Sequence, residues 1–179
     1  MDHRKAALLA SITAPSPSEW GPHLWRMLHW LAEHVGTQKS PILINDEATS
    51  WKKLLRLLQV VIPCALCKGH YTEYYNTHFD AAALETQPNG PERRDLLRRW
   101  LWELHEDVNN RREVAPENRV PFESLTEVCS QIDFPTERDK FYSVLTRALH
   151  QNIVGRENVI QFRNTIVTLY GLYRVLGRR

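Results

Sequence analysis

The sequence predicts an all-α protein, a bundle of four or five helices followed by an additional helical extension at the C-terminal end. Three observations support this fold class. Apolar residues recur at intervals of three and four along most of the chain, runs that would predict strands are short, and proline and glycine separate the periodic segments. With 179 residues and 42% hydrophobic composition, the chain can bury one core and carry an appendage.

Two amphipathic helices begin the predicted bundle. We expect the first over residues 20–35, capped by Ser18 or Glu19, and the second over residues 46–61, which Pro63 ends. Their apolar faces consist of Trp20, Leu24, Leu28, Leu31 and Val35 in the first helix and Trp51, Leu54, Leu55, Leu58 and Val61 in the second.

Five further helical segments are predicted. They cover residues 65–78, 92–112, 122–131, 136–152 and 157–176. The segment 92–112 directs Leu96, Leu97, Trp100, Leu101, Leu104 and Val108 inward.

This pattern divides the chain into an N-terminal arm, a main domain and an extension. We expect a mobile arm over residues 1–17, the functional domain over residues 18–132, and a helical extension over residues 133–179. The extension has enough apolar surface to form a dimer interface or to pack on its own bundle.

The charge and hydropathy patterns exclude several partner classes. Formal net charge is +2 and the basic residues are spread along the chain, so no nucleic-acid partner is expected. No apolar run approaches the roughly 20 residues that span a bilayer, and the apolar run near the N-terminus is a poor match to a secretory signal. We therefore expect a soluble protein without a membrane partner, and the sequence leaves its location open.

The first candidate site is the CxxC of Cys64 and Cys67, which stands at the start of a predicted helix. The helix dipole favours a thiolate there, and Lys68 and His70 could add positive potential from the next turn, so the pair suits thiol–disulfide exchange. Two alternatives remain open: a metal site that adds His70 and His78, or cysteines that only pack in the core.

Two helical stretches place aromatic and polar side chains on single faces. Trp25 and His29 are four residues apart, after Trp20 and Gly21, and could line a slot for a planar ring. On a later helix, His105, Val108, Asn109 and Arg112 share a face on which His105 and Asn109 could contact an adenine and Arg111 or Arg112 a phosphate. The alternatives are core packing for the first stretch and a polar helix end for the second.

Three ordered motifs together resemble the Erv/ALR family of FAD-dependent sulfhydryl oxidases. WGPHLWRMLHWLA, IPCALCKGHY and HEDVN follow one another at compatible spacing and cover roughly residues 19–122. The resemblance implies a helical bundle that holds FAD. Its FAD contacts would be Trp20, Gly21, Trp25, His29, Cys67, Tyr71, His105, Val108, Asn109, Arg112 and Phe122.

The resemblance also implies a reaction. Substrate thiols would attack Cys64, Cys67 would be the sulfur beside the flavin, and electrons would pass to O2 to give H2O2. The implied partners are thiol-containing proteins or a thioredoxin-like carrier, and a second copy of the chain in a homodimer. A zinc-stabilised interaction module and a purely structural helical assembly protein are the alternatives to an enzyme, and no metal ligand is assigned in the enzyme interpretation.

The sequence departs from the family pattern at several positions. Glu106 stands where the family usually has Asn, Ile62 replaces the common aromatic before Pro-Cys, and Tyr71 takes the usual Phe position. The sequence shows neither a second CxxC nor the widely spaced structural pair, and we expect the remaining Cys129 to be buried and inert, with a bridge between subunits as the alternative. A core without a shuttle disulfide, joined to an unfamiliar extension, is similar to the sulfhydryl oxidases of large DNA viruses. A viral member would work in the host cytoplasm or the virion.

Overall fold

The computed structural model describes residues 14–86 and 90–174, and these residues form helices, turns and loops without a strand. The all-α prediction is confirmed. In chain order the helices are α1 Pro17–Glu33, α2 Pro41–Val61, α3 Ala65–His78, α4 Ala81–Thr86, α5 Gly90–Arg111, α6 Leu125–Ser130, α7 Phe134–His150 and α8 Arg156–Arg174. Most of the predicted arm, residues 1–13, lies outside the described residues.

Three helices begin earlier than predicted because proline occupies their first turn. Ser16, not Ser18 or Glu19, is the N-cap of α1, and its backbone N–H donates to Glu19 Oε2 at 2.7 Å. Helix α2 begins at Pro41 and α7 has Pro135 at its second position. Proline has no backbone N–H, and the N–H groups of the first helical turn have no partner within the helix, so proline removes no hydrogen bond at these positions.

The six-residue helix α4 was not predicted, and the predicted helix over residues 122–131 is shorter than expected. A 3₁₀ turn, Phe122–Ser124, replaces its first turn, and α6 then follows. Both elements are close to the minimum length of a helix, where periodicity carries little information.

The predicted apolar faces of α1 and α2 are buried in one continuous core. Helix α7 packs along α1 and α8 along α2, while α5 packs on α1 and α3 and α4 pack on α2. The C-terminal extension therefore packs on its own bundle and covers the two helices that carry most of the core.

Buried polar contacts fix α8 and α5 to this core. Trp51 Nε1 donates to the Tyr173 hydroxyl at 2.8 Å, which joins α2 to α8. Glu47 accepts from the Gly36 backbone N–H at 3.0 Å and lies 3.7 Å from Arg93 Nη2 on α5. The buried Glu47 carboxylate and Trp51 Nε1 thus have partners, as burial requires, whereas Arg93 Nε has none among the described residues.

None of the helices in the described part of the chain is both long enough and apolar enough to span a bilayer.

Candidate redox site and ligand cavities

Two adjoining cavities lie along α1 and α5, the first beside α2 and α3 and the second beside α6. The first has a volume of about 280 Å³ and the second about 340 Å³, near the lower end of the ~300–1,000 Å³ typical of ligand pockets. Gly21, Trp25, Val108 and Arg112 line both cavities, so one elongated ligand could occupy the two together.

The CxxC forms a disulfide at the first turn of α3, with Cα atoms 5.2 Å apart. Pro63 excludes a helix at Ile62, whose ψ is 120°, so α3 starts afresh with Cys64 as its N-cap. The Cys67 backbone N–H donates to Cys64 Sγ at 3.2 Å. Cys67 lines the first cavity, whereas Cys64 does not, so the two sulfurs occupy different environments.

The helix behind the disulfide is anchored by Tyr71. Its hydroxyl is buried and donates to the Leu55 backbone oxygen at 2.8 Å, which ties α3 to α2. Burial raises the pKa of Tyr71 well above its ordinary value, so the phenol stays protonated and keeps this hydrogen bond. The Tyr71 ring also lines the first cavity.

Helix α1 presents an open backbone to the cavities at Gly21. Gly21 is buried, yet a Cβ added there would meet no heavy atom within 4 Å apart from its chain neighbours and the backbone of its own helix, because the missing side chain faces the cavity space. A β-carbon would also crowd the ring of Pro22 inside the helix. Next to it, the buried Trp20 Nε1 has no hydrogen-bond partner and Trp20 lines the first cavity. An unpaired buried donor beside open space fits a polar acceptor on a bound ligand.

A stack of aromatic rings forms part of the wall of the second cavity. The rings of Trp25 and His105 are 4.0 Å apart and 10° from parallel. His29 Nε2 lies 3.2 Å from His105 Nδ1. Burial lowers the pKa of His29 to about 3 and the pKa of His105 to about 4, so both rings are neutral at pH 7, with one nitrogen donating to the other.

Glu106 holds the polar edge of the second cavity. Asn109 Nδ2 donates to Glu106 Oε1 at 2.8 Å, and Arg119 Nη1 lies 3.1 Å from Glu106 Oε2. The residue that departs from the family pattern thus orients Asn109 and ties α5 to the loop that carries Arg119. Arg112 is exposed and has no carboxylate partner among the described residues, so it is available to an anionic ligand.

The structure brings most of the predicted residues together. Trp20, Gly21, Trp25, Cys67, Tyr71, Val108 and Arg112 line the first cavity, and His29, His105 and Asn109 line the second. Phe122 lines neither cavity. Its ring packs 5.8 Å from the Trp102 ring and 4.6 Å from the Arg99 guanidinium carbon, so no contact supports its predicted role.

Sequence reasoning missed the apolar walls of both cavities. They comprise Leu24, Leu28, Leu58, Ile62, Leu66 and Leu104 in the first, and Trp102, Val120, Leu125, Val128 and Ile132 in the second. Helical periodicity marks the buried ones only as inward-facing, and nothing local indicates that space remains beside them. Leu66 and Val128 are exposed, so periodicity does not mark them as part of a wall.

Cys129 is buried in the wall of the second cavity. Burial raises the pKa of its thiol to about 12, so it stays protonated and unreactive in exchange. Within residues 14–86 and 90–174, no group of three or more His, Cys, Asp or Glu side chains could hold a metal ion.

Comparison with known proteins places the chain in a family. The model of the Erv1/Alr family matches residues 22–125, which is more than half of the chain. A viral relative, "Putative FAD-linked sulfhydryl oxidase 088R" of Frog virus 3 (isolate Goorha), is 30% identical over 95 residues, which are 53% of this chain and 57% of the relative. The chain thus spans little more than half the length of that relative, and no solved structure matches it. On the strength of the family match, the chain belongs to the Erv1/Alr family.

Proposed function

We propose that this protein is a FAD-linked sulfhydryl oxidase that forms disulfides in thiol-containing proteins. One observation carries the proposal: a disulfide at a helix N-terminus has one sulfur, that of Cys67, in the wall of a cavity that aromatic rings also line. The viral relative is named for the same activity. Membership of the family supports thiol oxidation as the reaction. The position of Cys67 in the wall of the first cavity supports that cavity as its site.

The residues of the two cavities fit FAD. The first cavity offers apolar walls, the open backbone at Gly21 and the unpaired Trp20 Nε1, which suits a flat ring with polar edges. The second offers the Trp25 and His105 rings, with Arg112 between the cavities for a phosphate. When bound, the flavin supplies a two-electron acceptor beside Cys67, and re-oxidation by O2 would yield H2O2.

The chain itself carries the thiol exchange. A substrate thiolate attacks Cys64 Sγ, the Cys64–Cys67 bond breaks, and Cys67 leaves as a thiolate with the electron pair. The second substrate thiolate then attacks the substrate sulfur that is bonded to Cys64. This step forms the substrate disulfide and releases Cys64 as a thiolate. Two electrons now reside in the Cys64 and Cys67 thiols. The first turn of α3 stabilises the Cys67 thiolate through the helix dipole.

We propose that substrates reach Cys64 directly or through a thioredoxin-like carrier; the CxxC of Cys64 and Cys67 is the one in these 179 residues. We also propose residues 18–132 as the oxidase unit. Helices α7 and α8 support it by covering α1 and α2, and any homodimer would use a surface outside those covered faces.

Oxygen consumption with dithiothreitol tests the proposal. The purified protein should contain bound FAD and consume oxygen, and Cys67→Ser should lose turnover while it retains FAD. Cys129→Ser is the matched control, since it makes the same substitution at a buried protonated thiol. Because Cys129 lies in the wall of the second cavity, its turnover is compared per bound FAD and should stay near that of wild type. A colourless protein that does not take up added FAD, or a Cys67→Ser variant with undiminished turnover, would contradict the proposal.

A further inference from the structure

We infer that the surface outside the disulfide docks an acidic cysteine-containing segment of the protein substrate. This inference rests on the proposed oxidase function and names its substrate class. It is carried by the charge of the chain around Cys64 and by the two faces of α2.

The stretch of sequence around the disulfide carries basic residues and no acidic ones. Residues 48–72 include no Asp or Glu, and they contain Lys52, Lys53, Arg56 and Lys68. Lys52 pairs with Glu85, whereas the other three have no carboxylate partner among the described residues. Of the acids near this stretch, Glu47 is buried beside Arg93 and Asp107, which lines the first cavity with Cys67, pairs with Arg111. Glu73 follows Lys68 by five residues and has no ion pair with it.

Helix α2 has one face toward the first cavity and another toward solvent. Leu58, together with the C-cap residue Ile62, lines the first cavity. Lys53, Arg56 and Val60 are exposed and lie at spacings of three and four, which places them on one outer stripe. This stripe runs toward Cys64, and Arg56 and Lys53 are about 8 and 12 Å along the axis from the end of α2.

The outer surface combines this charge with apolar contact. Val60 is 40% exposed and Ala65 is exposed next to Cys64. Cys64 does not line the ligand cavity, and the stripe on α2 ends three to four residues before it, so a substrate segment whose cysteine bonds to Cys64 can extend over this surface. Carboxylates beside that cysteine would meet Lys53, Arg56 and Lys68, which speeds encounter and fixes orientation.

Two dithiol peptides test the inference on the FAD-loaded protein. They share one Cys-Xaa-Xaa-Cys and differ in carrying glutamates or lysines on both sides. We expect kcat/KM to favour the acidic peptide at low salt and the preference to shrink at high salt. Lys53→Glu and Arg56→Glu should each lower kcat/KM for the acidic peptide by about three- to tenfold and leave dithiothreitol turnover unchanged.

Lys39→Glu is the matched control. Lys39 is exposed and precedes α2 at the end opposite Cys64, so the 21-residue helix, about 30 Å long, separates it from the disulfide. It should affect neither peptide. Equal kcat/KM for the two peptides, or equal effects of Lys39→Glu and Lys53→Glu, would overturn the inference while dithiothreitol turnover still supports the oxidase.

A redox-inert form of the acidic peptide, with serine for both cysteines, tests docking without turnover. Fluorescence anisotropy should show binding that Lys53→Glu and Arg56→Glu weaken and Lys39→Glu does not. A DNA oligonucleotide that binds as tightly, with the same dependence on Lys53 and Arg56, would mark a general polyanion site and refute a protein-specific surface. Absence of any peptide binding would refute it as well.

Discussion

His29 should make the flavin-free protein less stable in mild acid. Its pKa falls from an ordinary value of 6.5 to about 3 because burial disfavours the charged ring. Between these two values the unfolded chain binds a proton that the folded chain does not, so stability rises with pH and is lost as pH falls below 6.5. Between pH 7 and pH 5 this proton difference acts over about 1.5 pH units, from 6.5 down to 5. At 1.36 kcal/mol per unit, the free energy of unfolding falls by about 2 kcal/mol.

His105 should add a similar loss. Its pKa is lowered from 6.5 to about 4 by burial, so it too remains neutral in the folded protein at pH 5. The two rings lie 3.2 Å apart between Nε2 and Nδ1, and protonating both would remove the acceptor from this hydrogen bond. Together the two histidines should account for about 4 kcal/mol between pH 7 and pH 5.

Urea unfolding of flavin-free protein at pH 7, 6 and 5 measures this loss. His29→Gln keeps a hydrogen-bonding group beside His105 but cannot titrate, so it should lose about 2 kcal/mol less than wild type over this range. His150→Gln is the matched control, because His150 is exposed at the end of α7. Parallel pH slopes for wild type and His29→Gln would refute the reasoning from burial.

Four further substitutions test the cavity, the scaffold and the buried cysteine. Gly21→Leu should abolish FAD retention, measured by the ratio of flavin to protein absorbance, because the new side chain fills the cavity space. Gly171→Ala, on the exposed end of α8, should keep FAD and raise the free energy of unfolding by about 0.5–1 kcal/mol. Tyr173→Phe should cost about 1–3 kcal/mol in urea unfolding, because it leaves the buried Trp51 Nε1 without its acceptor, and should not change dithiothreitol turnover. Cys129→Ala should leave the oligomeric state in non-reducing gels unchanged, since the thiol is buried; a disulfide-linked wild-type dimer absent in the variant would contradict this.

The sequence predicts those parts of the fold that depend on neighbouring residues in the chain. Apolar spacing predicts α1, α2 and α5, and Pro63 predicts the break before the CxxC. The early start of α2 was missed because Ile42 and Leu43 are exposed there and contribute no amphipathic signal, although Ser40 and Pro41 provide a capping pattern.

The site is less accessible to sequence reasoning because it is assembled from several helices. Trp25 and His29 share a face of one helix, so their proximity is predictable. The contact between His29 and His105 joins residues 76 apart in sequence, and only the packing of α5 on α1 creates it. Likewise, periodicity marks Leu58 as buried but cannot show that it faces a cavity rather than another side chain.

The central claim is that Cys67, and not Cys64, faces the flavin. The most direct measurement is the visible absorption spectrum of two FAD-loaded variants at a pH that ionises the remaining thiol. Cys64→Ser leaves the Cys67 thiolate in the cavity wall and should show a long-wavelength charge-transfer band, whereas Cys67→Ser should show only the flavin bands. The band in Cys67→Ser, or in neither variant, would contradict the account.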